Sequence, residues 1–275
     1  MLLFLINAIF RGAGDASIAM WALVLSNGLN IILDPMFIFG FGLIPAYGVE
    51  GAAIATTIGR GTAVIFQIFI LFYGWSKIKI EFKDLVLRVA VMINLIKVSI
   101  GGIGQFLIGT SSWVILMRIM SEFGSEVLAG YTIAIRVMMF TIMPAWGMSN
   151  AAATLVGQNL GAKKPQRAED SVWKTGKYSA IFMGLVSLIY LVFAPQIISW
   201  FTQEAEVVKN GALCLRIIAA GYIFYGYGMV VINSLNGAGD TKTPTWINFI
   251  CFWLFQLPFA YITALTFDFG PIGVF

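Results

Sequence analysis

The chain has 275 residues, 59% of them hydrophobic and only 11% charged, and its mean hydropathy is +0.89. Soluble domains carry about 25% charged residues, so a chain this apolar lacks the polar surface of a water-soluble fold and belongs in a bilayer. The net charge of +4 comes without a basic arm interleaved with aromatics, which argues against a nucleic-acid partner; there is no histidine, and Cys214 and Cys251 both sit in apolar runs, which excludes His-based triads, His/Cys zinc sites and a disulfide framework.

Met1 to Phe10 is apolar but too short to cross a membrane. It lacks the basic start and small-residue cleavage site of a signal peptide, and reads as the tail of a span that begins upstream. Runs near the 20 residues that cross about 30 Å of hydrocarbon then fall at roughly 17–39, 51–74, 98–120, 127–157, 177–202, 211–234 and 245–267, giving seven full spans separated by breaks of Gly, Pro, Asn and charge. The expected fold class is therefore an all-α polytopic helix bundle.

Lys and Arg alternate between the breaks. One set carries Arg11, then Lys77, Lys79, Lys83, Arg88 and Lys97, then Lys163, Lys164, Arg167, Lys174 and Lys177, then Lys242; the other set carries Lys209 alone. The basic side is the cytoplasmic one, and unbroken alternation supports the span count.

The chain spells Gly-Ala-Gly-Asp twice, ending at Asp15 and Asp240, and Gly-Val follows each copy at the same distance, at Gly48 and Gly273. This is an internal repeat with a period of 225 residues. One period contains six spans, an even number, so the two copies face the same way, as parallel transporter repeats do. Two such repeats imply a parent protein of about 450 residues and twelve spans, of which this chain would lack both ends. The motif resembles half of a phosphate-binding Gly loop, but no strand precedes it and no basic residue completes it. It is read as a helix-to-helix turn, with Gly14 and Gly239 in the left-handed position that ends a helix and Asp15 and Asp240, or Thr241 and Thr243, capping the next.

Asp34 is the one acid placed well inside an apolar run. Asn27, Asn30 and Asp34 recur at i, i+3 and i+7 and share a helical face. Pro35 has no N–H to donate, which frees a carbonyl one turn earlier, and Thr56 on the next span adds a hydroxyl. Carboxylate, amide oxygen and hydroxyl suit a proton or Na⁺. The alternative is that Asp34 neutralises Arg60. Arg136 lies too deep in its span for easy snorkelling, Asn150 faces either a cleft or a neighbouring helix, and the aromatics around Tyr225, with the many Met residues, suit an adaptable cavity. The glycines Gly101, Gly102 and Gly104 are read as helix-packing positions.

GAGDTKTP after one span, NIILDP inside another, GVEGAAIAT opening a third and SNAAATLVGQNLGAKKPQRAED at a cytoplasmic helix end, distributed along nearly the whole chain, resemble the multidrug and toxic compound extrusion family. The resemblance implies a twelve-helix antiporter of two six-helix lobes. This chain would hold the end of helix 4, helices 5 to 11 and the first residues of helix 12: residues 1–75 from the N-lobe, a connector over 76–97 and 98–275 from the C-lobe. Members that couple through the N-lobe carry Asn-x-x-x-Asp on helix 5 and Thr on helix 6, which map onto Asn30, Asp34 and Thr56; their further acid lies on helix 1. Another branch places acids on helices 7 and 10, where this chain offers Gln105 and no acid between Leu213 and Leu235. The resemblance implies export of small amphipathic or cationic compounds against H⁺ or Na⁺ by a monomer in the cell membrane, with no cofactor, no metal beyond Na⁺ at Asp34 and no enzymatic activity. Gln105, Arg136, Asn150 and Tyr225 are the candidates for the substrate cleft. A lipid-linked oligosaccharide flippase of the same superfamily is the alternative.

Orientation is testable directly. With Cys214 and Cys251 replaced by Ser, a cysteine at Lys163 should react with a membrane-impermeant reagent from the cytoplasmic side only, and one at Glu204 from the outside only. Reaction of both from one side would refute the span count.

Overall fold

The computed structural model describes residues 1–42 and 44–275, with nothing said of the Phe82 side chain. The helices are α1 (Leu2–Gly12), α2 (Ala16–Phe39), α3 (Val49–Tyr73), α4 (Val89–Ser121), α5 (Ser125–Gly161), α6 (Pro165–Ser199), α7 (Ala205–Gly237) and α8 (Lys242–Thr266), the last with π-helical stretches over Phe249–Gln256 and Ile262–Thr266. Among the described residues, α2 to α8 are the seven helices long and apolar enough to cross a membrane. This is the number of spans expected from the apolar runs.

The helices run past the apolar segments that announce them. α6 begins at Pro165, where the expected span begins at 177, and α4 begins at Val89, inside the segment expected to be a connector. Apolar run length measures the hydrocarbon thickness, whereas a helix needs only its own backbone bonds and continues into the polar zone. Residues 89–96 carry a single polar side chain, Asn94, so nothing there ends a helix.

The chain divides into two compact units, Met1–Arg88 and Val89–Phe275. In the first, α2 and α3 run antiparallel in close contact. From Gly51 to Gln67 the buried positions of α3 are Gly51, Ala55, Gly59, Ala63 and Gln67, all but the last of them small, one residue per turn, and Ile70 and Leu71 follow. A Cβ on Gly51 would collide with the Phe37 carbonyl of α2, and one on Gly59 would lie 2.8 Å from the Ser26 oxygen. In a bilayer, where lipid is as apolar as Leu, such small-residue stripes are what let backbones approach. α1 buries Leu3, Ile6, Asn7 and Phe10, the i, i+3, i+4, i+7 pattern of one helical face, and Gln67 Nε2 of α3 donates to Asn7 Oδ1 at 2.6 Å.

In the second unit α5, α6 and α7 form the core around Met120, Met138, Met183, Tyr190, Leu215 and Tyr222. α5 and α7 run parallel. Gly130 meets Gly211 near one end, and Gly237 lies against the Ala153 backbone near the other. α6 lies antiparallel to α7, with Ser187 donating to the Ala219 carbonyl at 2.7 Å and Ser179 to that of Gly226 at 3.0 Å.

The two Gly-Ala-Gly-Asp turns have one geometry. Gly14 has φ 83° and Gly239 φ 88°, and the N–H of the following Asp donates back to Phe10 at 2.9 Å and to Leu235 at 3.0 Å. This is the left-handed helix stop expected from the sequence. Asp240 also accepts from the Thr243 hydroxyl at 2.6 Å and from the N–H groups of Thr243 and Lys242, and these bonds, the Thr243 hydroxyl first, hold its carboxyl below the ordinary value. A lowered native value makes the cap's contribution present above the unfolded pKa and lost as the pH falls through the native one.

The small-residue seam gives a stability test. Gly51→Ala should lower thermal stability by about 1–3 kcal/mol through overpacking against Phe37. Gly61→Ala, on the same helix where a Cβ meets nothing within 4 Å, should raise it by about 0.5–1 kcal/mol. Melting of the purified protein in detergent distinguishes the two, and equal effects would refute the seam.

Candidate functional site

The notch at Gly59 positions the polar group of the first unit. Because Gly59 has no side chain, α2 sits close enough for Asn30 to lie against it; a Cβ there would come 3.1 Å from Asn30 Oδ1. Asn30 Nδ2 then donates to Asp34 Oδ2 at 2.7 Å, one turn along α2, and reaches Thr56 Oγ1 on α3 at 3.4 Å. Asn30, Asp34 and Thr56 are thus brought together, all half-buried.

The two oxygens of Asp34 differ. Oδ2 accepts from Asn30. Oδ1 is shielded from solvent and has no hydrogen-bond partner among the described residues. An unpaired buried polar atom costs about 1–3 kcal/mol, and more when it carries charge. α2 continues as a helix through Pro35, which has no N–H to give to the Ile31 carbonyl one turn back. The arrangement therefore holds open one carboxylate oxygen beside an amide and a hydroxyl, and this donor set fits a proton or a monovalent cation.

Asn27 shares the face of Asn30 and Asp34 but is exposed and makes no hydrogen bond to either among the described residues. The groups nearest the Gly59 notch are the Ser26 carbonyl and Asn30. Arg60 is exposed and forms no ion pair with Asp34; the ion pairs among the described residues are Lys83–Glu81, Arg118–Glu122 and Lys209–Glu206.

The candidates in the second unit scatter. Gln105 exchanges two hydrogen bonds with Asn236, at 3.0 and 3.1 Å, and donates to the Thr241 carbonyl at 3.2 Å. Its amide pins α4 to the second Gly-Ala-Gly-Asp turn. Gly101 and Gly104 seat Thr241 and Thr245 on the same helix face, while Gly102 meets nothing within 4 Å. Arg136 and Asn150 lie on the exposed face of α5, and Asn150 Nδ2 donates to the Trp146 carbonyl of its own helix at 2.9 Å. Of the four, Tyr225 alone lines the cavity of about 610 Å³ inside this unit. Sequence reasoning passes over Gly59, although Gly51, Ala55, Gly59 and Ala63 repeat every four residues and mark a seam.

Comparisons with known proteins bear on the family and the fold. The chain is 31% identical to the "Probable multidrug resistance protein NorM" of Thermotoga maritima, over 97% of this chain and 57% of that one. It is 23% identical to the "Multidrug export protein MepA" of Staphylococcus aureus, over 89% of this chain and 53% of that one. Among solved structures, "Crystal structure of MATE in the bent conformation" matches with a TM-score of 0.89 at 26% identity, over 99% of this chain and 60% of that one. "Outward-facing conformation of a multidrug resistance MATE family transporter of the MOP superfamily" matches with a TM-score of 0.87 at 27% identity, over 98% of this chain and 60% of that one. The chain thus spans somewhat more than half the length of the relatives it matches. Residues 103–262 match the MatE family itself, and with the helix order, the turns and these relatives, the chain belongs to the MatE family.

Proposed function

We propose that this protein is a secondary exporter of small organic compounds, and that Asp34 is the carboxylate that couples export to a gradient of H⁺ or Na⁺. The reading rests on one observation: an acid inside an apolar helix whose Oδ1 is buried and unpartnered among the described residues. Ionisable groups within spans are costly and mark ion pathways. The names of the relatives, which refer to multidrug resistance and export, support the substrate class. That class is small amphipathic or cationic molecules, handled by a monomer in the cell membrane with its basic loops cytoplasmic. Residues 1–75 and 98–275 are read as parts of two lobes joined by 76–97.

Asn30 Nδ2 holds Asp34 Oδ2 and keeps Oδ1 open. A proton on Oδ1 removes the buried charge; Na⁺ there would be held by Oδ1 with oxygen from Thr56 and Asn30. Either event changes the charge of α2 against α3, and a ligand shifts a conformational equilibrium by its differential affinity for the two states. A shift from 1:99 to 99:1 needs about 5.5 kcal/mol of that difference, and discharging an unpaired carboxylate in a low-dielectric site supplies energy of this order.

The flippase alternative calls for several basic side chains facing a polar substrate. Within the spans, Arg60 and Arg136 are the deep ones, two where such a cleft calls for several. The exporter is therefore preferred.

Asp34→Asn keeps size and shape and removes the charge. The variant should reach the membrane and still bind substrate, while efflux driven by a pH or Na⁺ gradient falls to background. Arg60→Gln should leave efflux near wild type, and the double variant should be as inactive as Asp34→Asn. Recovery of efflux in the double variant would refute the coupling role and restore the ion-pair reading.

A further inference from the structure

The cavity in the second unit lies between α4, α5, α7 and α8, is lined as well by Val274 and by Phe275, whose ring stacks on Tyr131 at 6.2 Å, and measures about 610 Å³, within the roughly 300–1,000 Å³ of sites that take drug-sized molecules. Its wall is aromatic, with Trp113, Tyr131, Tyr222, Tyr225 and Phe252, and no Asp, Glu, Lys or Arg among the described residues lines it.

Two glycines border the space, Gly109 on α4 and Gly221 on α7. A Cβ built on either meets nothing within 4 Å. Gly130, Gly211 and Gly237 seat a neighbour's backbone, whereas Gly102, Gly147 and Gly228, which do not line the cavity, are as open as Gly109 and Gly221. At Gly109 and Gly221 the cavity wall carries no side chain.

The wall also offers unused polar groups. Tyr131 is 4% exposed, and its hydroxyl has no hydrogen-bond partner among the described residues. The Tyr222 hydroxyl is already occupied by Thr141 at 3.3 Å and the Met138 carbonyl at 3.3 Å. Gln256 accepts weakly from Ser112 at 3.5 Å, and its amide nitrogen donates to nothing among the described residues.

The internal repeat adds an independent argument. Shifting by 225 residues carries Asn27, Asn30 and Asp34 onto Phe252, Phe255 and Phe259. Phe252 lines the cavity, and Phe255 and Phe259 stack with ring centroids 5.5 Å apart. Where the first repeat carries its polar face, the second carries phenylalanine.

We propose that this cavity is a binding site for an uncharged aromatic molecule of drug size carrying a hydrogen-bonding group. A cation would find aromatic faces but no counter-charge in the wall, and its desolvation would go uncompensated. The proposal deepens the export reading and rests on it for the fate of the bound compound, not for binding itself.

The test is photo-crosslinking of the full chain in lipid vesicles with benzophenone-4-carboxamide, which is neutral, and with (4-benzoylbenzyl)trimethylammonium, which is cationic. The neutral probe should label peptides of α4, α5 and α7 saturably, and the cation at least tenfold less. Gly109→Leu with Gly221→Leu places two side chains at the cavity wall, where a Cβ meets nothing within 4 Å, and should cut the neutral labelling at least tenfold. Undiminished labelling in that variant, labelling spread over all helices, or equal labelling by the cation would overturn the proposal. If the filled variant does not reach the membrane, Tyr131→Phe is read instead: a several-fold loss of labelling supports the site and no change overturns it. Labelling as expected with no gradient-driven efflux by wild type would refute the export reading and leave the site standing.

Discussion

The close approach of α2 and α3 is the contact on which the chemistry of the first unit depends. It is made by absent side chains: Gly51 and Gly59 leave room for the Phe37 and Ser26 carbonyls. No hydrophobic drive holds helices together in lipid, so shape and interhelical hydrogen bonds must do it. The same notch that lets the backbones meet sets Asn30 between Asp34 and Thr56. Packing and the placement of Asn30, Asp34 and Thr56 are therefore one feature, and a side chain at Gly59 would disturb both.

Several other polar groups within the spans link helices. Gln105 with Asn236 ties α4 to α7, Asn233 donates to Ser149 between α7 and α5 at 2.8 Å, and Thr141 joins Tyr190 and Tyr222 at 2.7 and 3.3 Å. Asn7 and Gln67 make a similar link with a single bond; the leftover Nδ2 and Oε1 are neutral and belong to one pair. Among the described residues, Asp34 Oδ1 is the unpartnered buried oxygen that can carry charge. Leaving it bare is expensive in a medium without water, which is why Asp34 carries the proposal and the amides do not.

Hydropathy and the repeat make much of this legible. A span announces itself through about twenty apolar residues, so the seven spans are readable, and the Gly-Ala-Gly-Asp turns are readable because a left-handed helix stop favours glycine. Helix ends are not, because α4 and α6 continue through residues whose polarity is set by the interface, not by the backbone. Asn30, Asp34 and Thr56 can be found because each is polar where its surroundings are not. Gln105 reads as a cleft residue for the same reason, and the structure gives it to Asn236 instead. Polarity within a span identifies a side chain with a task, but whether that task is linkage or chemistry depends on its partner, 131 residues away for Gln105. Asn27 marks the opposite limit: helical spacing fixes a face, whereas the site needs one particular point on it.

The two repeats share a turn geometry and have diverged in the helix beyond the turn. In the first repeat α2 carries Asn27, Asn30 and Asp34; in the second α8 carries Phe252, Phe255 and Phe259 at the same offsets, and its backbone is π-helical from Phe249 to Gln256. π-helical stretches are uncommon and widen the local register. A duplicated scaffold permits this division because the turn fixes where each helix begins while leaving its side chains free. Neither unit need then combine a desolvated charge with a wide apolar wall, two demands that conflict at one place: the wall lowers the dielectric and raises the cost of the charge. Separation into two units lets the carboxylate sit among a few oxygen atoms and the aromatic cavity stay free of charge.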